Sequence, residues 1–544
     1  MPTPQLIAQS GPADGARERA LLALLLVAIV MATAARLIGL EHLPVWHDEA
    51  FTLTRVFGYD QEQVQQALFS ARVLTAADVL RYQQPNPANG WDATLRALTQ
   101  HPEHAPLYYL LGRFATALPL DPVTALRGTS ALFGLLLPAA AFWLMRELFG
   151  RGPIPWVAAA LVAFSPLHLL YAQEARQYAL WTLLVLAASA AFQRAVRDDR
   201  RADWWLYASL VVVGLYAHLL FILLLPVHAL YGWLVRAHAT GSLLRPRGLP
   251  LLQWLTTLGL ALLLFLPWLV VLVLHFDRAV HFTSWMERPV GTDRIFLAWG
   301  QHLLHSFVDL SPRDPSMGWL VLLLPLGWAV LHYVRRAPRP ALWLLPLIAA
   351  AYVGIVLGPD LLLGGSRSLH ARYALPALLA LQLMVAWSIG DGIARAGTIG
   401  RRAAVASLTL LLLLGGLSIW RIEHAESWWS KNFSADNIAI ARLANAGVRP
   451  LIAASPSGVA TGEMLSVAYY LDDHVRLWGE TANETPVLPA GFGDIILLTP
   501  TDALRAALGP GRSAEPIGDS WQWLYAPSAA AEGATAAAPG LSVN

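Results

Sequence analysis

The segment Trp46-His47-Asp48-Glu49-Ala50 sets two carboxylates side by side just past a long apolar run. A carboxylate flanked by Trp46 and Phe51 suits a general base, and desolvation with like charge predicts that one of the two pKa values is raised. A bare Asp-Glu pair also reads as the solvated start of a loop. Further on, His101-Pro102-Glu103-His104-Ala105-Pro106-Leu107-Tyr108-Tyr109 puts histidines beside a carboxylate. Glu103 and His104 could hold a divalent metal or orient an acceptor, and His104 could equally begin a helix.

Three later clusters carry cations or imidazoles. In Tyr171-Ala172-Gln173-Glu174-Ala175-Arg176-Gln177-Tyr178, Arg176 borders an apolar zone, where a lone charge is costly without a partner. A lipid phosphate is one partner, matched by the guanidinium fork, and Glu174 is the structural alternative. Tyr216-Ala217-His218 precedes an apolar helix containing His228, and a core histidine is the commoner reading of either one. Gly364-Gly365-Ser366-Arg367-Ser368-Leu369-His370-Ala371-Arg372-Tyr373 offers a second anion site in Arg367, His370 and Arg372, with glycines that let backbone approach a phosphate. Arg372 and Tyr373 would otherwise be an interfacial anchor.

These residues need elements to hold them, and the composition says which. The 544-residue chain is 56% hydrophobic and 14% charged, against about 25% charged in soluble domains. Uncharged runs such as Trp204 to Val235 and Leu251 to Leu274 meet the roughly 20 residues that cross a bilayer. Eleven crossings are expected, at about 20–40, 125–147, 154–172, 176–193, 203–217, 219–235, 250–274, 317–334, 341–358, 371–392 and 403–420. Pro106 to Leu118 is short and interrupted by Arg113, so it is expected to lie in the interface.

Arginine then groups on one side, as at Arg17 and Arg19, Arg146 and Arg151, Arg194 and Arg197, Arg245 and Arg247, Arg335 and Arg336, and Arg401 and Arg402. By the positive-inside rule that side is cytoplasmic, as is the N-terminus at 1–19. The carboxylate, histidine and arginine clusters above then share the opposite, extracytoplasmic face. The expected organisation is a transmembrane catalytic domain at 20–420 with a large outer loop at 41–124. A small extracytoplasmic α/β domain follows at 421–527, and 528–544 is an Ala/Gly/Ser-rich disordered tail. In the α/β domain, Asn437–Ala446 has helical spacing, and Leu451–Ala454 and Asp494–Leu498 read as strands. The net charge of +2, with basic residues scattered at helix ends, argues against a nucleic-acid partner. The absence of cysteine excludes disulfides and thiolate chemistry.

Taken together, the clusters resemble the GT-C superfamily of lipid-phosphate-sugar-dependent glycosyltransferases, in the group with protein O-mannosyltransferases and the lipid A aminoarabinose transferase. Asp48-Glu49 resembles the family's acidic motif in the first outer loop. His104-Ala105-Pro106-Leu107-Tyr108-Tyr109 resembles its His-Pro-Pro-Leu-Tyr motif, with Ala105 in place of the first proline. Glu174 to Leu180 resembles its Arg-x-Tyr motif, and Tyr216-Ala217-His218 and Arg372-Tyr373-Ala374-Leu375-Pro376 match further patterns. The resemblance covers about 20–420.

It implies a polytopic α-helical fold and transfer of a monosaccharide from a polyprenyl-phosphate donor to a glycan, lipid or protein acceptor. In that scheme Asp48 is the base, with Glu49 as its catalytic neighbour. Arg176, Tyr178, Arg367, Arg372 and Tyr373 bind the donor phosphate, and Glu103, His104, His218 and His370 serve the acceptor or a divalent metal ion. A bacterial inner or plasma membrane is the expected location, with lipids as partners. A transporter or flippase of lipid-linked sugars, or a membrane glycan polymerase or ligase, are the competing functions.

Overall fold

The computed structural model describes residues 12–241, 251–312, 317–395, 397–482, 484–518 and 520–528. The expected loop arginines Arg245 and Arg247, the first eleven residues, and all but the first residue of the expected tail at 528–544 lie outside the described residues.

Among the described residues, seven helices are long and apolar enough to cross a membrane: Pro122–Phe149, Tyr178–Asp198, Leu219–Thr240, Gln253–Leu274, Ala341–Leu363, Ala371–Arg395 and Thr398–Glu423. A bent pair, Pro153–Ala163 and Pro166–Ala172, makes an eighth if counted as one span. The other three expected crossings are helical but shorter. They are the apolar part of the first helix, Leu22–Leu37, the 17-residue Arg201–Ala217, and the 14-residue Leu323–Arg336.

A 58° bend breaks the helix within the expected span at 154–172. Ser165 caps a new helix by accepting from the His168 N–H, and Pro166 takes its first position. Proline has no N–H to continue the preceding ladder, so the helix stops and restarts. The bend delivers the Tyr171–Tyr178 turn to the end of the bundle. The helix Leu107–Ala115 has nine residues, about 14 Å at 1.5 Å per residue, too short to cross. Its Arg113 donates to the Val56 and Asn89 carbonyls, so the interruption noted in the sequence ties this helix to the loop around it.

Five strands beyond the last long helix and one before it form a single sheet: β1 (Val73–Leu74), β2 (Leu451–Ala454), β3 (Arg476–Gly479), β4 (Ile495–Leu498), β5 (Glu515–Pro516) and β6 (Trp523–Ala526). Their order is β1-β3-β2-β4-β6-β5. The central strands β3, β2 and β4 are parallel, and β2 and β4 are buried along their whole length, as strands covered on both faces must be. The helix Gly458–Val467 makes the crossover from β2 to β3.

The edge strand β1 comes from the first outer loop and pairs antiparallel with β3, Val73 opposite Trp478. The sequence boundary near 420 therefore does not divide the sheet. Further bonds seal the seam: Gln83 donates to the Leu465 carbonyl, the Val45 N–H donates to the Tyr470 hydroxyl, and Ser466 donates to the Val45 carbonyl.

Candidate active site

The helix His47–Val56 starts with a capping box in which Glu49 accepts from the Trp46 N–H at 2.9 Å. That cap turns Asp48 and Glu49 in different directions. Glu49 points inward and is fully buried. Arg127 grips it with two bonds of 2.8 and 2.7 Å, Lys431 Nζ lies at 3.1 Å, and the Ala175 N–H donates at 2.7 Å. Its oxygens are saturated, so the expectation of Glu49 as a catalytic group is corrected. Glu49 is the buried knot that ties together the first loop, the helix Pro122–Phe149, the Glu174–Arg176 turn and the C-terminal region.

Asp48 points the other way and keeps 22% of its side chain exposed. Its Oδ2 lies 3.9 Å from Arg176 Nη2 and 3.6 Å from Arg372 Nη1, and Oδ1 lies 3.4 Å from His47. Arg176 also donates to Thr52 Oγ1 at 3.2 Å and contacts the Tyr178 hydroxyl at 3.5 Å. The Arg372 guanidinium sits over the rings of Trp46 (4.9 Å), Tyr373 (5.1 Å) and Trp285 (5.9 Å). Such cation–π packing holds a charge where water is scarce. The Nε groups of Arg176 and Arg372 are buried and lack a hydrogen-bond partner among the described residues.

The pKa pattern departs from the expected one. Burial pushes Asp48 up, but Arg176, His47, Arg372 and Arg55 outweigh it and hold the carboxyl well below the usual range. Burial pushes Glu49 up too, and Arg127, Lys431 and the Ala175 N–H outweigh that. Neither member of the pair is raised, because each has its own cations. The raised carboxyl is Glu174: burial pushes it up to about 7, and neither of its oxygens has a hydrogen-bond partner among the described residues. It does not pair with Arg176 as the alternative reading of that turn had it.

Tyr178 and Tyr373 line the same site through Arg176 and Arg372. His370 packs edge-on against Trp285 at 5.1 Å, next to Arg372. Arg367 is not aimed at Asp48. It pairs with buried Asp360 at 3.0 Å, whose other oxygen accepts from the Ser368 N–H at 2.6 Å. Gly365, at φ +157°, makes room for that pair, since a Cβ there would collide with Asp360 Oδ1. The glycine thus serves an ion pair in place of the expected phosphate approach.

His218 stacks on Trp181 at 4.0 Å and caps the next helix by accepting from the Leu220 N–H. It supports the Tyr178 wall as packing, and its expected acceptor or metal role has no geometry behind it. His228 is a core histidine held by Ser189 and Tyr207. Glu103 Oε1 lies between His101 (3.3 Å) and His104 (3.5 Å). Among the described residues no group of three His, Asp or Glu side chains is placed to hold a metal ion.

Two site residues escape the motifs. Arg55 is buried beside Asp48 and Arg176. Its spacing from Asp48 and Thr52, seven and three positions, puts all three on one helix face, a signal present in the sequence. Lys431 lies in the C-terminal region, 382 positions from Glu49, and no local pattern announces it.

The family described as dolichyl-phosphate-mannose-protein mannosyltransferase matches residues 101–271. No curated protein matches the chain by sequence. Among solved structures, ArnT from Cupriavidus metallidurans in the apo state superposes with a TM-score of 0.51 at 14% identity, covering 97% of this chain and all of that one. The same ArnT bound to undecaprenyl phosphate gives 0.49 at 14% identity, over 93% and 96% of the two chains. An Archaeoglobus fulgidus oligosaccharyltransferase tethered to an acceptor peptide gives 0.47 at 12%, over 84% and 64%. The chain is an integral membrane protein that shares the fold of ArnT.

Proposed function

We propose that this protein transfers a monosaccharide from a polyprenyl-phosphate carrier to a hydroxyl or amine of a glycan, lipid or protein acceptor on the extracytoplasmic face. The observation that carries the reading is Asp48, within 4 Å of both Arg176 and Arg372 while still partly open. A negatively charged group entering beside the two guanidinium groups would meet their free Nε–H groups and the Tyr178 and Tyr373 rings. ArnT, which shares the fold in its apo state, has also been solved with undecaprenyl phosphate bound, a lipid of the carrier class assigned here.

In the proposed reaction the acceptor oxygen or nitrogen attacks the anomeric carbon of the donor sugar as its proton passes to Asp48. The bond from that carbon to the phosphate oxygen breaks, and the phosphomonoester leaves with the electron pair. That leaving group is a stable anion and needs no acid, so one carboxylate suffices where a glycosidase uses two. Arg176 and Arg372 stabilise the charge that develops on the departing phosphate. In the free protein they also depress Asp48, which makes it a weak base. The donor phosphate offsets their charge and restores basicity to Asp48, so the base is strengthened when donor is present.

The basic cleft formed by Arg146, Arg151, Arg194 and Arg197 lies at the far end of the helix Pro122–Phe149 from Arg127. The 19 steps from Arg127 to Arg146 span about 28 Å, close to a bilayer core. This separation supports a cytoplasmic basic end and an extracytoplasmic site. The test is Asp48→Asn, assayed for sugar transfer from polyprenyl-phosphate sugars in membranes. Transfer should vanish while the protein still binds the carrier, and full activity in that variant removes the mechanism.

A further inference from the structure

We infer that the cleft between the helix Thr292–His305, Leu369 and Trp429 is an acceptor subsite that seats one neutral sugar ring. The inference rests on the glycosyl-transfer reading above and adds the chemistry of the acceptor.

The cleft has a volume of about 250 Å³, just under the roughly 300–1,000 Å³ of pockets for drug-sized ligands. It suits one ring better than an extended chain. Arg294, Gln301 and His305 lie on one face of the helix, with spacings of seven and four, and His302 joins them. His302 and His305 are each only 5% exposed. The Nδ1 of His302 and the Nδ1 of His305 lack a hydrogen-bond partner among the described residues, and the Nε2 of His305, also without a hydrogen bond, lies 3.8 Å from Asp309 Oδ1. Buried polar atoms of this kind call for a ligand or water to complete them.

The chemistry favours a polyol. Burial pushes both imidazoles down to about 3, so they are neutral in the working pH range. A neutral imidazole has one donor and one acceptor nitrogen, and the Nε2 of His302 already meets the Ser368 carbonyl at 3.1 Å. A hydroxyl, itself donor and acceptor, matches such a set. A carboxylate or phosphate can only accept, so it would leave the acceptor Nδ1 of His302 unpaired. Leu297, Leu369 and Trp429 give the apolar wall that a sugar's C–H face requires.

The position fits an acceptor. Trp429 stacks on His305 at 4.7 Å and stands two residues before Lys431, which binds Glu49 beside Asp48. On the other side, the Ser368 carbonyl that meets His302 leads in two residues to His370, which packs on Trp285 beneath Arg372. The segments 368–372 and 429–431 thus reach from the cleft to the Asp48 site. Asp309 fixes the Trp429 ring by accepting its indole N–H at 2.6 Å and that of Trp428 at 2.8 Å.

The experiment is saturation-transfer NMR on the full-length protein in detergent, with methyl glycosides of neutral hexoses as probes and a methyl glucuronide for comparison. At least one neutral glycoside should receive saturation, and more than the glucuronide does. His305→Ala and the half-exposed Gln301→Leu should each weaken its affinity about tenfold, the worth of one good hydrogen bond. Asp48→Asn should leave it unchanged. No saturation of any neutral glycoside, a preference for the glucuronide, or equal binding in both cleft variants would overturn the inference. Transfer that persists in Asp48→Asn counts only against the catalytic reading, so the two failures are separable.

Discussion

Glu49 and Lys431 meet at 3.1 Å across 382 positions of sequence, in full burial. With Arg127 on the same carboxylate, the contact fixes the helix that carries Asp48 against the C-terminal region. Glu49→Gln should therefore act on stability before it acts on chemistry. Breaking a buried ion pair costs about 3–5 kcal/mol, and thermal melting in detergent should show it. Lys431→Met should cost less, because Arg127 keeps Glu49 paired. The Glu49 pKa is depressed below its usual 4.5, so this stability is present above that value and is lost as the pH falls through the folded pKa.

Arg176→Lys should lower kcat by about 100- to 1,000-fold, the worth of one transition-state donor of roughly 3–4 kcal/mol. Lysine keeps the charge and loses the fork that spans Asp48, Thr52 and an entering phosphate. Steady-state kinetics with the polyprenyl-phosphate donor checks this, and an unchanged kcat would remove Arg176 from the mechanism.

The acid limb of kcat against pH should lie above that of kcat/KM for donor. The free protein holds Asp48 low through Arg176, His47 and Arg372, and a bound phosphate relaxes that hold. Because kcat/KM reports the free enzyme and kcat the complex, the two profiles separate the states. Coincident limbs would mean that donor binding leaves Asp48 untouched.

Glu174 gives the opposite pH signature. Its folded pKa is raised to about 7 by burial, so its contribution to stability is complete below the ordinary glutamate value of about 4.3 and is lost as the pH rises through 7. Glu174→Gln should flatten that part of the stability profile and raise the melting temperature at pH 8, with little change at pH 4. Melting curves of both proteins across that range decide it.

Local patterns made much of the fold legible. The helix Asn437–Ala446 and the strand Leu451–Ala454 follow from apolar spacing that neighbouring residues settle among themselves. The gathering of Asp48, Arg176 and Arg372 follows from threading apolar runs through a bilayer, since each then falls at the same end of the bundle. What the sequence hid is decided at long range. Asp48 and Glu49 are chemically alike and adjacent, yet the capping box sends one to an open site and the other into a knot closed by Lys431. Arg367 reads like Arg372 until Asp360, seven positions earlier on the other side of two glycines, claims it. The break at Ser165-Pro166 was visible as residues, but the apolar run around it hid the bend.

The pairing of Val73 and Leu74 with Trp478 and Leu477 has a consequence for how the protein is made. An edge strand made early stays without its neighbour until the last hundred or so residues have been synthesised and brought to the same side. The Asp48 helix is likewise unclamped until Lys431 arrives. Assembly of the loop that carries Asp48 therefore closes late, and a chain stopped after its final long helix would sit in the bilayer with its spans in place and the Asp48 helix unsupported.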